Sequence, residues 1–122
     1  MTEDIRVVNL AEKFAMINGH YQPKIVGQIN DTHVKIVKIK GEFEWHHHDT
    51  EDEMFLVIKG TFKMHLRDKL LIIREGEFVI IPHGVEHKPD ADDDVWIMLI
   101  EPVGTLNTGT VQNERTVIPE TI

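Results

Sequence analysis

The chain has 122 residues, no cysteine and a formal net charge of −8. This length predicts one domain, and the missing thiols exclude disulfides, thiolate catalysis and sulfur-ligated metals. No cluster of Lys and Arg could follow a phosphate backbone, so we expect no nucleic-acid partner. The apolar runs are too short to cross a bilayer, and the acidic start Met1–Asp4 is unlike a secretory signal. We therefore expect a cytoplasmic protein with no membrane partner.

One short helix is predicted near the N-terminus. Asn9 and Glu12 have the spacing of a capping box, in which each side chain satisfies a backbone N–H of the first helical turn. The helix should run from about Leu10 to Ile17, because Asn18-Gly19 is a typical helix stop.

From His20 onward the pattern is that of β-structure, with short runs of β-branched and aromatic residues between turn residues. The acidic run Asp90–Asp94 is predicted to be a solvated loop, and the tail after Pro102 to be irregular. Many short strands with almost no helix predict an all-β sandwich or closed barrel. The predicted strands are Lys24–Ile29, His33–Ile39, Phe43–His48, Glu53–Lys59, Thr61–Arg67, Leu70–Arg74, Glu77–Ile81, Glu86–Pro89 and Val95–Glu101.

A group of histidines and carboxylates lies between Gly41 and Gly60. Alternate residues of a strand share a face, so His46 and His48 should project together while His47 points away. The Asp49–Asp52 segment has turn chemistry, and the chain could therefore fold back and let Glu53 face the same point from a neighbouring strand. These residues alone fit either a metal site or a solvated loop of histidines and acids.

A tight hairpin at Lys59-Gly60 would fix which residues share a face with this group. Directly opposed residues point to the same side, so one face would line a largely apolar pocket around the ion. The other face carries Met54, Leu56 and Ile58, which must also be covered. The predicted pocket-lining residues are Phe55, Val57, Phe62, Met64 and Leu66.

A second group favours the metal site over the loop. Gly76 permits a turn into a strand, Pro82 ends that strand, and Gly84 can take the positive φ of a reversal. His87 then stands at the start of the next strand, where a further ligand would be well placed.

The two groups resemble the two motifs of the cupin family. Gly41, His46, His48, Glu53 and Gly60 match the first motif (41–60), with four residues instead of the usual five after Gly41. The second motif (76–91) is matched by Gly76, Pro82, Gly84 and His87, but Ala91 stands where the family often has Asn.

The resemblance implies a single cupin domain over residues 1–122, folded as a double-stranded β-helix, or jelly-roll barrel, with an irregular tail at 102–122. It also implies a metal held by His46, His48, Glu53 and His87. Three imidazoles and a carboxylate suit divalent Mn, Fe, Co, Ni, Cu or Zn and leave positions open for water or substrate.

The function expected from this resemblance is that of a small metal-dependent enzyme acting on a compact organic substrate, of the dioxygenase, isomerase or decarboxylase class. No catalytic residue beyond the ligands is identified, and apart from Lys59 at a strand end the predicted pocket walls lack the Lys or Arg that a sugar phosphate would need. The alternative is a metal-dependent module that binds or senses a small molecule without turnover. The apolar outer face and the resemblance both favour a homodimer.

Overall fold

The computed structural model describes residues 5–122 as one helix and eight strands. Helix α1 spans Leu10–Ala15, and the Asn9 side chain accepts a hydrogen bond of 3.0 Å from the Glu12 N–H, as the capping pattern predicts. The strands are β1 (Lys24–Ile29), β2 (Thr32–Glu42), β3 (Glu53–Lys59), β4 (Thr61–Leu66), β5 (Leu70–Arg74), β6 (Phe78–Ile81), β7 (His87–Pro102) and β8 (Glu120–Thr121). Within the described residues, no helix is long and apolar enough to cross a membrane.

Strand β7 organises the barrel, because it pairs with β2 along one edge and with β3 and then β4 along the other. Strand β6 pairs with β3, β5 with β4, and β1 with β2, all antiparallel, while the short β8 runs parallel to β1. This arrangement confirms the predicted all-β, double-stranded β-helix fold with one short N-terminal helix.

The hairpin predicted at Lys59-Gly60 is wrong. Strands β3 and β4 do not pair with each other but follow one another along β7, so that Met54 opposes Ile100 and Leu66 opposes His87. The residues predicted to point inward do so nevertheless. The register of β3 with β7 shifts by one residue after Val57, so that odd-numbered residues point inward before this bend and even-numbered residues after it.

The predicted strand Phe43–His48 is also wrong as a strand, since only His46 forms a β-bridge, with His87. The segment does run beside the start of β7, and the Phe43 N–H donates to the Pro89 carbonyl at 2.9 Å. Pro89 has no N–H to return that bond, so a regular ladder cannot form here.

The acidic run Asp90–Asp94 is not a loop between two strands, because β7 is continuous through it. Strand β2 holds it in the sheet: Ile39 opposes Val95 and Gly41 opposes Ala91. Three residues of β7 therefore face one residue of β2, which makes an exposed bulge. The prediction that these carboxylates are solvated holds for the bulge at residues 92–94.

The barrel interior is a single apolar cluster. A smaller cluster lies outside the barrel, where Phe14 of α1 stacks on Trp96 with ring centroids 4.7 Å apart and Ile58 packs nearby. The helix thus covers part of the outer sheet face. The buried interior residues are Val37, Ile39, Phe55, Val57, Phe62, Met64, Ile73, Ile81, Ala91, Val95, Ile97 and Leu99.

Candidate metal centre

The fold brings His46, His48, Glu53 and His87 to one place inside the barrel. His87 is the first residue of β7 and Glu53 the first of β3. Two backbone bonds fix His46 opposite His87: the His46 N–H donates at 3.1 Å and the His87 N–H returns a bond of 2.9 Å. Each side chain is buried, and one ligand atom from each lies within 4.8 Å of the others.

His47 points away from this group, as the alternation predicts. Its Nε2 lies 3.1 Å from the Asp49 carboxylate, and the side chain is partly exposed. The segment 43–48 keeps the side-chain alternation of a strand although it lacks a strand's full hydrogen bonding. For this reason the two flanking histidines still share the inner side.

The hydrogen bonds of two rings show which nitrogen carries the proton. Nδ1 of His46 lies 2.9 Å from the Glu44 carbonyl oxygen, and Nδ1 of His87 lies 2.9 Å from that of Val85. A carbonyl can only accept, so each Nδ1 must donate, and a neutral ring then carries its lone pair on Nε2. Both Nε2 atoms are thus ready to bind a metal.

The contacts among the four groups leave a gap that a cation would fill. Oε1 of Glu53 is 3.1 Å from Nε2 of His87 and 2.8 Å from Nε2 of His48. The His48 nitrogen is buried, and the Glu53 oxygen is the polar group that it faces. Two ring nitrogens facing one carboxylate oxygen need positive charge between them, which protons on the rings or a bound cation can supply. The four residues therefore fit a divalent metal ion.

The ionisation of these groups agrees with that fit. Burial, with the neighbouring His87 ring, lowers the pKa of His46 to about 4. Burial alone would raise the pKa of Glu53, but the adjacent imidazoles of His48 and His87 hold it well below its usual value. A neutral imidazole and an ionised carboxylate are the forms that bind metal.

A cavity of about 40 Å³ adjoins His46 and Glu53. Of the five residues predicted to line a pocket, the structure places Phe55 on the cavity wall, whereas the side chains of Val57, Phe62 and Met64 fill the barrel interior and Leu66 packs against them. The lining is Tyr21, Pro23, Val37, Ile39, Phe43, His46, Glu53, Phe55, Pro89, Leu99, Glu101 and Asn107.

Three polar residues of this lining were not predicted. Tyr21 stacks on Phe43, and its hydroxyl donates to the Gly41 carbonyl at 2.6 Å. Asn107 belongs to the tail. Glu101 is a buried carboxyl beside Glu53, and burial together with the Glu53 charge raises its pKa well above the usual value. A sequence signal existed for Glu101, because it continues the inward alternation of Val95, Ile97 and Leu99.

The tail after β7 closes the outer side of the centre. The Thr110 N–H donates to the His47 carbonyl at 3.2 Å, and Gly109 packs directly against that carbonyl. Farther along, the Arg115 guanidinium lies over the Phe43 ring at 4.9 Å. The tail, predicted only to be irregular, thus supports both the ligand-bearing segment and the cavity wall.

A second group, Glu42, His65 and Asp90, also has the spacing of metal ligands. Its carboxylates are already paired, since Lys88 lies 3.0 Å from Glu42 and Lys63 lies 3.6 Å from Asp90. The group is therefore balanced by lysines and needs no ion.

Comparisons with known proteins agree with this geometry. A cupin-2 domain containing protein from Shewanella frigidimarina NCIMB 400 is 44% identical with a TM-score of 0.77, over 79% of this chain and 94% of that one. A Neisseria meningitidis structure is 28% identical with a TM-score of 0.74, over 80% and 99% of the two chains. The Bacillus subtilis protein YdbB, described as uncharacterized, is 31% identical over 52% of this chain and 57% of its own length, so the match spans little more than half of that relative. The Cupin domain family matches residues 33–101, which is more than half of the chain and includes all four candidate ligands. The chain belongs to the Cupin domain family.

Proposed function

We propose that this protein is a metal-dependent enzyme that acts on a compact organic substrate at a divalent metal held by His46, His48, Glu53 and His87. The observation that carries the proposal is the convergence of the buried Nε2 atoms of His48 and His87 on one oxygen of the buried Glu53 carboxylate, at 2.8 Å and 3.1 Å. Three imidazoles and one carboxylate leave one or two ligand positions open on a first-row divalent ion that takes five or six ligands.

The residues around the site have separate tasks in this proposal. The ion, when bound, supplies a Lewis acid at the ligand position that the protein leaves open. The backbone carbonyls of Glu44 and Val85 hold the His46 and His87 rings in the metal-binding tautomer. Apolar walls such as Phe43 and Phe55 exclude water from the substrate side.

The lining also limits the substrate class. Among the cavity-lining residues there is no Lys or Arg, because Arg115 stacks outside Phe43 and the Lys35 ammonium is held by Glu101. A phosphate group that lay away from the ion would find no cationic side chain on these walls, at a cost of several kcal/mol, on the order of that for a buried unpaired ion. We therefore propose substrates without phosphate.

The test begins with metal analysis of protein purified without a nickel column. We expect about one divalent ion per chain. Oxygen uptake and hydrolysis are then measured with the loaded protein against panels of small diketones, phenols and carboxylic acids. A metal-free preparation that takes up no divalent ion on titration would contradict the proposal.

A second candidate is a metal-dependent binding or sensing module without turnover. The observation that favours it is that the titratable side chains of the cavity lining are already engaged: His46 and Glu53 as proposed ligands, Glu101 with Lys35, and Tyr21 with the Gly41 carbonyl. One measurement separates the two candidates. Both would bind a compound of the panel, which a metal-dependent thermal shift detects. After long incubation a sensing module would leave the compound unchanged, whereas an enzyme would convert it.

A further inference from the structure

Three charged side chains form a buried row across neighbouring strands. Lys35 of β2, Glu101 of β7 and Glu53 of β3 are 1%, 2% and 4% exposed. All three lie on the inward side of their strands, in phase with the apolar core residues. Fully buried Lys and Glu side chains are rare unless they are paired. The burial of three such side chains in one row therefore needs a physical explanation.

The contacts fix Lys35 and the middle member of the row, Glu101. The Lys35 ammonium donates to Glu101 Oε2 at 3.0 Å and to the Thr105 carbonyl at 2.9 Å. Glu101 is thus held from one side by a cation that is itself anchored to the tail. Its other oxygen, Oε1, is buried and has no hydrogen-bond donor within reach.

The strand register brings Glu101 to the metal centre. Met54 opposes Ile100 in the β3–β7 pair, and the next residues outward are Glu53 and Glu101. Carboxylates opposed in this way repel each other unless a cation lies close by. Lys35 balances one of the two charges, and the second is the Glu53 carboxylate that faces the imidazoles.

We propose that Lys35 and Glu101 are positioning residues that fix the orientation of the Glu53 ligand and thereby set the metal affinity of the centre. Glu101, fixed by Lys35, stands opposite Glu53 at the end of the β3–β7 register, and both residues line the same cavity. The Glu53 carboxylate is then held toward the histidines before any metal binds. The Glu53 side chain therefore loses less conformational entropy when a metal binds. Partners of this kind typically change metal affinity by about 10- to 100-fold. This inference rests on the proposed metal site.

The test is a double variant, Lys35→Met with Glu101→Gln, which keeps the net charge of the protein. Both substitutions are close in shape to the original residues, and a paired buried charge replaced as a unit is often neutral for stability. Circular dichroism and cooperative unfolding of the metal-free protein confirm that the variant folds. Mn²⁺ affinity is measured by competition with a fluorescent chelator, and the Co²⁺-loaded protein is compared by visible absorption.

We expect Mn²⁺ affinity about 10- to 100-fold weaker in the double variant, with an altered Co²⁺ spectrum. The matched control is Lys24→Met with Glu120→Gln, an ion pair of 3.6 Å between β1 and β8, which should leave both readouts unchanged. Wild-type affinity and spectrum in the folded double variant would overturn the positioning role alone. Absence of Mn²⁺ and Co²⁺ binding by the wild-type protein would overturn the proposed metal site and this inference together.

Discussion

His47 offers an internal control for the metal centre, because it stands between two ligands and points away from them. Replacing His48 or His87 by Ala should lower metal affinity by more than about tenfold, since even outer partners of ligands contribute that much. His47→Ala should leave metal content near that of the wild type, as measured by elemental analysis after gel filtration. Equal losses in the His47 and His48 variants would mean that the alternation of this segment differs in solution.

The buried His46 ring makes the stability of the metal-free protein depend on pH. Its pKa is 6.5 in the unfolded chain and about 4 in the folded protein, because burial and His87 disfavour the charged form. The unfolded state therefore binds more protons between these values, and stability should fall as pH falls from about 6.5 to 4. The free energy of unfolding should fall by roughly 3 kcal/mol over this range, because each unit of pKa difference corresponds to about 1.4 kcal/mol.

Urea unfolding of the metal-free protein at pH 7 and pH 4.5 measures this effect. His46→Gln removes the titrating ring and should flatten the dependence over that range. The prediction fails if the wild type and the variant show the same slope of stability against pH.

The four candidate ligands could be predicted from the sequence, whereas the groups behind them could not. Alternation and the two motifs are local patterns, and they lead directly to His46, His48, Glu53 and His87. Glu101 and Lys35 belong to strands that meet only through long-range pairing, so no local pattern relates them. One signal was available: Lys35 and Glu101 are both at inward positions of predicted strands. A charge buried in a core requires a partner of opposite charge, so such residues can be expected to pair.

At the scale of elements, local patterns predicted the short strands well and their partners poorly. The bend at Gly60 has the residues of a turn, and a turn between two strands usually makes a hairpin. Here a Cβ at Gly60 would lie 3.1 Å from the Val95 side chain, because the chain crosses close over β7 instead of reversing. Which of the two occurs depends on the partner strand, which is 37 to 46 residues away in the register of β3 and β7.

The attachment of the tail to the ligand-bearing segment depends on one glycine. Gly109 has φ +61°, and a Cβ there would overlap the His47 carbonyl oxygen. Gly109→Ala should therefore cost about 1–2 kcal/mol for the left-handed backbone and about 1–3 kcal/mol more for the overlap. Urea unfolding measures the loss, and limited proteolysis should show earlier cleavage in the tail.

Gly104 provides the matched control, because it has φ +91° with nothing within 4 Å of the added Cβ. Gly104→Ala should show the backbone cost alone and no earlier cleavage. Equal losses at both glycines would mean that the contact between Gly109 and His47 does not hold the tail.

At the scale of the whole molecule, the outer sheet face is only partly covered by its own chain. Helix α1 packs near Ile58, but Phe78 and Ile80 of β6 are 59% and 54% exposed, beside their cross-strand neighbours Met54 and Leu56. Ile5 and Val7, before the helix, are 98% and 99% exposed. Burying each large apolar side chain is worth about 1.5–3 kcal/mol. We propose that a second copy covers this face in a two-fold homodimer.

Sedimentation at low micromolar concentration should therefore give twice the 14.1 kDa chain mass. Phe78→Asp should yield a folded monomer, because the side chain is exposed within the single chain. Ile118→Asp, in an equally exposed tail position, should leave the dimer intact. A wild-type monomer under these conditions would rule the dimer out.

The continuity of β7 has a consequence for the kinetics of folding. Its partners lie far away in the chain: Thr32 pairs with Pro102 and Ile39 with Val95, so these contacts close long loops and should make folding slow. His87 begins β7, whereas His46, His48 and Glu53 all precede it, and the four ligands converge only when β7 docks. Saturating Mn²⁺ should then slow unfolding and leave the folding rate unchanged in stopped-flow experiments, because it stabilises contacts that form after the transition state. Folding that accelerates with Mn²⁺ would mean instead that the ligands meet first and help to recruit β7.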